Sequence, residues 1–320
     1  MDDLPHGFID DVLSLQPEKN YYVFSQLSGL FGAVAQIWAE NWFYCQVRLC
    51  YNNSTKKISY RINKSKGYGA PLATNIDIRG AELRYCKKIE LHIVSNEAAS
   101  KTATSKQFSA FLDDLKRFSF ELIISETISY DTSAILYHIP KDIEFIRIDT
   151  VGVFNQELDD IVERSLPRGK LDYLSCDEYW VRKSARTRVN AFIGYSIRIM
   201  ACFGLSESNC KCVKELLWQW LSAPQIFKKN KAFWGRHALN TLSPALFKRM
   251  DGAVDDEIKA LSFASGFRND RQAFFEMRHP KRGFADRRTI VAFFSDERMD
   301  DKTFEQCVEH GSRWYNVLFL

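Results

Sequence analysis

Two short segments, Lys87-Lys88-Ile89-Glu90-Leu91 and Lys141-Asp142-Ile143-Glu144-Phe145, follow one pattern of charge and then apolar–acidic–apolar alternation. Variants recur at Lys116-Arg117-Phe118-Ser119-Phe120 and Gly169-Lys170-Leu171-Asp172-Tyr173, so the first apolar positions, 89, 118, 143 and 171, lie 29, 25 and 28 residues apart. Alternation at every second residue is the mark of a strand with one buried face. Runs with helical spacing, Gln107–Leu115 and Leu158–Ser165, precede two of the copies. A chain that repeats one strand and one helix can fold only if neighbouring repeats share a core.

The expected fold is therefore α/β: a solenoid of strand–helix repeats with the period, though not the strict Leu pattern, of leucine-rich repeats. Strands at Ile89–Val94, Phe118–Ile123, Ile143–Ile148 and Leu171–Leu174 should lie parallel and side by side. Ile89, Leu91, Ile93, Phe118, Phe120, Leu122, Ile143 and Phe145 should then point inward. The same alternation turns Glu90, His92, Ser119, Glu121, Glu144 and Asp172 outward. Its carboxylates would stack into an acidic column, a candidate surface for a basic segment of a target protein. Weaker echoes appear at Arg198-Ile199-Met200, Gln225-Ile226-Phe227, Ala260–Phe263 and Thr289-Ile290-Val291. The apolar run Tyr315–Leu320 is placed to close the sheet, and Val213–Leu221 reads as a helix with Leu216, Leu217 and Trp220 on one face.

The N-terminus is built differently. In Leu4-Pro5-His6-Gly7-Phe8, Pro5 suits a helix start, where its missing N–H costs least. Phe8, Val12 and Leu15 follow at helical spacing, with Asp10 and Asp11 left for water, and a further helical stretch comes through Leu27-Ser28-Gly29-Leu30-Phe31. Trp42–Tyr51 and Lys57–Ile62 alternate around the turn-forming Asn52–Lys56, which predicts a β-hairpin. Lys64–Thr74, with Gly67, Gly69 and Pro71, reads as a linker. The partition is a helical segment at 1–41, a hairpin and linker at 42–74, and the repeat domain at 75–320.

At 320 residues, 46% hydrophobic and 26% charged, the chain has the composition of a globular protein. A net charge of +4 is too small to demand a nucleic-acid or membrane partner. Met1-Asp2-Asp3 is acidic where a secretory leader is basic. The apolar stretches Leu30–Ala39 and Ala191–Leu205 are too short to span a bilayer, and Arg198 interrupts the second. The expectation is a cytoplasmic or nuclear protein whose eight cysteines are reduced.

Nothing in the sequence assembles a catalytic or cofactor site, so the expectation is no enzyme, no cofactor and no metal. Gly67-Tyr68-Gly69 lacks the rest of a phosphate loop. Cys210-Lys211-Cys212, with Cys202 and His237, lacks a second ordered ligand pair for zinc. The six Asp-Asp pairs are expected at helix starts or in solvated loops, and the six histidines show no partner nucleophile. Three basic runs stand out: Arg182-Lys183 with Arg186 and Arg188; Lys228-Lys229 with Lys231 and Arg236; and Lys281-Arg282 with Arg287-Arg288. With Tyr179-Trp180, Phe227, Phe233-Trp234 and Phe284 between them, they could follow a phosphate backbone. The preferred reading is a solvated basic side, with nucleic-acid binding as an alternative.

The opening resembles an F-box, with Leu4-Pro5, Phe8, Val12-Leu13 and Leu27-Ser28 in the positions of that motif. The whole chain is similar to the nematode-expanded F-box-like proteins. Met1-Asp2, Pro5-His6-Gly7-Phe8, Leu27-Ser28-Gly29 with Phe31-Gly32, and Trp220–Phe227 carry the likeness, while no Cys-x-x-Trp closes the third helix and Trp38 stands in its place. The resemblance implies a substrate receptor of a cullin-RING ubiquitin ligase. Leu4, Pro5, Phe8, Val12, Leu13 and Leu27 would then meet a Skp-type linker subunit, and the repeats would hold a protein target. A repeat-based binding module with a vestigial F-box is the other alternative.

Overall fold

The computed structural model describes residues 4–52, 55, 57–66, 84–94, 101–116, 118, 120–124, 131–150, 156–176, 189–202, 207–228, 230–236, 243–250, 254–262, 271–299, 302–309 and 314–320. The linker glycines, the run 182–188, Tyr179-Trp180, Ser119, His237 and His310 lie outside them. The chain forms two compact units, one of residues 1–124 and 129–144, the other of 125–128 and 145–320.

The first unit opens with α1 (His6–Ser14), α2 (Glu18–Phe24) and α3 (Gly29–Asn41), followed by the hairpin β1 (Phe43–Asn52) and β2 (Lys57–Ser65). Next come β3 (Cys86–Ile93), β4 (Lys101–Ala103), α4 (Ser105–Leu115), β5 (Phe120–Ile124) and α5 (Asp131–Tyr137). The described strands are ordered β5-β3-β1-β2-β4. β1 pairs parallel with β3 and β3 with β5, while β1–β2 and β2–β4 are antiparallel. The expected alternation holds on β3, where Ile89, Leu91 and Ile93 are buried, as are Phe43, Cys45, Val47 and Leu49 beside them. On β5, Phe120 and Leu122 are buried as expected, but so is Glu121 between them. Phe118 is only half-buried and precedes β5. Thr104 begins α4 with a reciprocal cap, Gln107 N donating to its Oγ1 and its own N donating to Gln107 Oε1. Phe108, Leu112 and Leu115 then bury the inner face of that helix.

The second unit contains β6 (Phe145–Thr150), α6 (Gln156–Ser165), β7 (Tyr173–Cys176), α7 (described at 189–194), β8 (Ile199–Cys202), α8 (Glu207–Ser222) and β9 (Lys231–Arg236). After them come β10 (Lys248–Arg249), α9 (Asp256–Leu261), β11 (Gln272–Arg278), β12 (Arg288–Phe294), α10 (Phe304–Glu309) and β13 (Trp314–Phe319). β6, β7, β8 and β9 are parallel neighbours in chain order. β9 is followed by an antiparallel run, β13-β12-β11-β10. The mixed α/β class is thus as expected, but the strand–helix alternation does not continue to the C-terminus.

Several elements depart from the sequence reading. β6 and β7 begin two residues later than expected, because Ile143 and Leu171 enter the core before their strands start to pair. Gln225-Ile226-Phe227 belongs to a 3-10 turn, and Ala260-Leu261 ends α9. β13 closes nothing: it lies between β9 and β12. That position explains its mostly apolar character, interrupted by the buried Asn316, since an interior strand is buried on both faces. Ile258 and Leu261 of α9 cover one face with Phe274, Ile290, Phe294 and Leu318. On α10, Phe304 sets its ring 5.1 Å from Phe275 and 5.3 Å from Phe293. Gly235 is required where Tyr315 crosses β9, because a Cβ there would lie 2.2 Å from the tyrosine ring. Of the acidic pairs, Asp255-Asp256 does begin a helix, with Ile258 N donating to Asp255 Oδ1 at 3.0 Å. Asp10-Asp11, Asp113-Asp114 and Asp159-Asp160 lie inside helices.

Lys231 is the largest polar side chain fully buried among the described residues of this unit. Only 1% exposed, it donates to the carbonyls of Phe192, Tyr195 and Ile197 at 2.5, 3.0 and 2.6 Å, ending α7. Burial, with Lys228 nearby, brings its ammonium down to about 8.

Two predictions follow from this packing. Leu91→Ala or Phe120→Ala removes a fully buried side chain from the first unit and should cost about 2–5 kcal/mol in denaturant unfolding. For Lys231, the unfolded chain keeps the proton between about pH 8 and 10.5 while the folded chain releases it, so stability should rise across that interval. In Lys231→Met this rise should disappear, and the unsatisfied carbonyls should lower stability by about 1–3 kcal/mol.

Candidate interaction surface

The N-terminal helices are held by a few directed contacts. Pro5 is the N-cap of α1, its carbonyl accepting from Phe8 N and Ile9 N. The buried pair of α1 is Ile9 and Leu13, not Phe8 and Leu15. Ile9 and Leu13, one turn apart, face α3, and the backbone carbonyl of Leu13 accepts the Tyr21 hydroxyl at 3.0 Å. Asp10 is not left for water: its Oδ1 accepts from Trp38 Nε1 at 2.8 Å. Gly32 lets α3 pass the chain at Leu27, where a Cβ would lie 1.7 Å from the Leu27 carbonyl oxygen. Lys87 joins this helical segment to the sheet. Its Nζ donates to the carbonyls of Ser14 and, at 2.8 Å, Gln16 at the end of α1, and lies near the rings of Tyr21 and Trp38.

With the inner faces filled, apolar residues are left outside on all three helices. Phe8 is 52% exposed, Leu15 83%, Tyr22 57%, Val23 61%, Leu27 47% and Ile37 39%. Among the residues singled out from sequence, Phe8 and Leu27 are thus on this surface, Pro5 is exposed, and Leu4 and Val12 are half-buried. Leu13 belongs to the helices' own core. Leu15, read from sequence as part of the apolar stripe of α1, is on this surface, while Tyr22 and Val23 escaped the sequence reading. Their signal was the Tyr21-Tyr22-Val23 run in a helix too short to bury more than one side.

The outer face of β3 and β5 brings Glu90, His92 and Glu121 together, with Glu90 directly opposite Glu121 in register. They do not form an acidic column. Lys88 Nζ lies 3.1 Å from both Glu90 Oε1 and Glu121 Oε1, and Glu90 Oε2 is 3.1 Å from His92 Nε2. Gln46 Nε2 meets the same ring nitrogen at 3.2 Å, and Arg48 Nε donates to Gln46 Oε1. Burial pushes the Glu90 carboxyl up, but the hydrogen bond from His92 and the charge of Lys88 outweigh it, and the group falls to about 2. Glu144 and Asp172 lie elsewhere: Glu144 precedes β6, and Asp172 precedes β7 in the second unit, bound to Arg198 through both oxygens at 2.5 and 2.7 Å. Lys88 of β3 is shared by Glu90 on its own strand and Glu121 on the next, and Arg198, just before β8, holds Asp172.

Of the second and third basic runs, Lys231, Lys281, Arg287 and Arg288 are engaged. Lys231 caps α7, Lys281 Nζ donates to Ser222 O at the end of α8, and Arg287 donates to Phe227 O. Arg288 reaches Asp255 at 2.9 Å and Glu276 at 3.5 Å. Phe227 and Phe233 are core residues, and Trp234 donates its Nε1 to Leu261 O, so these rings present no stacking platform. Burial, with Glu215 adding to it, pushes the Cys212 thiol up to about 12, which keeps it a neutral thiol. Among the described residues no three His, Cys, Asp or Glu side chains gather to hold a metal ion. No helix among them is long and apolar enough to cross a membrane.

No family model matches the sequence, and no curated protein matches it. Among solved structures, the chain is similar to an S-adenosylmethionine-dependent methyltransferase from Clostridium acetobutylicum, at 12% identity over 68% of this chain and 92% of that one, with a TM-score of 0.16. The expectation that this chain is not an enzyme is accordingly withdrawn, since the structure it matches is that of an enzyme. So slight a likeness assigns no fold, activity or cofactor here.

The Glu90 network gives an acid-stability prediction. Its contribution should be complete above about pH 4.5 and be lost as pH falls toward about 2. In Glu90→Gln the wild-type loss of stability over that interval should be smaller, as read by urea unfolding at a series of pH values.

Proposed function

We propose that the chain is a protein-recruiting adaptor, in which an F-box-like helical segment docks on a Skp-type linker subunit of a cullin-RING ubiquitin ligase and a leucine-rich-repeat-like α/β array holds a target. The observation that carries this reading is the apolar surface of α1–α3. Lys87, Trp38 and Tyr21 fix the helices from inside, yet Phe8, Leu15, Tyr22, Val23 and Leu27 remain in water. Six exposed apolar side chains on so short and fixed a segment favour a protein partner, and a helix can dock by laying such side chains into a groove. The sequence motif supplies the partner class. Support for the array comes from the parallel neighbours β1-β3-β5 and β6-β7-β8-β9, which follow chain order as stacked repeats do.

The exposed and buried members of the motif separate docking from folding. Phe8→Ala with Leu27→Ala should weaken co-purification with a Skp-type subunit about tenfold or more, at unchanged melting temperature. Leu13→Ala should instead lower stability by about 2–5 kcal/mol. Wild-type protein that fails to bind such a subunit at micromolar concentration would remove the ligase connection and leave a repeat-based binding module.

A further inference from the structure

We propose that α8 and the loop at 280–287 form a second docking patch, one that captures an acidic segment of a partner protein carrying an apolar side chain. The patch begins with an unexplained tryptophan. α8 buries Leu216, Leu217 and Trp220, but Trp218 points away from that core and is 63% exposed. Lys214, Trp218 and Ser222 are all exposed and, four residues apart, lie along one stripe of the helix. The 3-10 turn that follows leaves Ile226 46% exposed.

The loop at 280–287 runs beside this stripe. Lys281 Nζ donates to Ser222 O at 2.9 Å, and Arg287 donates to Phe227 O at 3.3 Å. These two bonds bring Lys281 and Arg282 alongside the end of α8, where Lys228 is also exposed. The acids nearby are Glu215, whose carboxylate accepts from Gln219 Nε2 at 2.7 Å, and the exposed Asp286, and the exposed cations Lys214, Lys228, Lys281 and Arg282 outnumber them. The result is two exposed apolar side chains, Trp218 and Ile226, on a stretch flanked by exposed cations.

An exposed tryptophan with cations on its own helix and on the loop at its end has the composition of an interface hot spot, in which the ring anchors and the charges select. Cations select acidic chain. The aliphatic neighbour favours an apolar side chain rather than a base, because single-stranded nucleic acid needs successive rings and the adjacent Phe227 and Phe233 are buried. The inference rests on the reading of the chain as a recruiter of proteins and names the chemistry of what it recruits.

The test uses the full-length protein and a short fluorescent peptide of Glu and Asp residues around a central Leu-Phe pair. Oligouridylate of equal charge and phosphatidylcholine vesicles containing phosphatidylserine serve as competing probes. The peptide should bind saturably with a Kd in the roughly micromolar range. Trp218→Ala should weaken it about tenfold. The double variant Lys214→Glu, Arg282→Glu should weaken it similarly and abolish its salt dependence. Circular dichroism should be unchanged in all variants, because these side chains hold no core contact. Absence of saturable peptide binding, unchanged binding by Trp218→Ala, or tighter binding of the RNA or the vesicles would each overturn the proposal. Peptide binding by a protein that ignores the Skp-type subunit would uphold the patch and remove the ligase reading.

Discussion

An ammonium group closed onto backbone carbonyl oxygens at the end of a helix ties helix to strand in both units of this protein. At Lys87 the strand is altered to allow it. Phe43 pairs with Cys86 and Tyr44 with Lys88, so Lys87 is the extra residue of a bulge. A bulged residue leaves the in-and-out alternation of its strand and re-aims its side chain. Here the new direction leads to the C-terminal end of α1, where unpaired carbonyls and the helix dipole favour a cation. Tyr21 and Trp38 supply ring faces at 5.4 and 5.7 Å. Burial lowers the affinity of Lys87 for its proton, while Glu18 and Cys86 act the other way.

The same chemistry recurs at Lys231 on α7 and Lys281 on α8. Lysine suits the task because its three donors are arranged around one atom and can meet carbonyls that converge from different directions. Arginine, with a planar fork, is used where two oxygens lie side by side: Arg249 bridges the carbonyls of Met299 and Lys302, and Arg198 clasps both oxygens of Asp172. Three of the cations that look in the sequence like a basic face, Lys231, Lys281 and Arg287, are therefore spent on backbone carbonyls.

This division explains what the sequence disclosed. Period-two alternation is local, so the inward set Ile89, Leu91, Ile93, Phe120 and Leu122 could be read directly, along with the hairpin β1–β2. The face of α8 could be read for the same reason. Long-range facts could not. Nothing near Lys87 marks it as the bulge, and nothing near Lys231 separates it from the exposed Lys228. The interior position of β13 depends on which strands flank it, and a residue-by-residue pattern carries no information on that. The α1 stripe was misassigned by one position because Phe8-Val12-Leu15 and Ile9-Leu13 are both apolar at helical spacing. Only the position of Tyr21 and α3 decides between them.

The candidate surfaces differ in what they have left to offer a partner. On β3 and β5, each carboxylate that could have acted at a distance is already within 3.1 Å of a basic group. Charges paired so closely project little field beyond a Debye length. A partner would also have to replace hydrogen bonds already made, which returns little free energy. The side chains of α1–α3 and of Trp218 are in the opposite condition. They make no bond that a partner must break, and water is what contact would remove. Association there should draw on apolar burial, whose thermodynamic mark is a negative heat-capacity change. On β3 and β5 the polar groups are consumed in folding, whereas the apolar residues left outside α1–α3 and α8 are still able to bind.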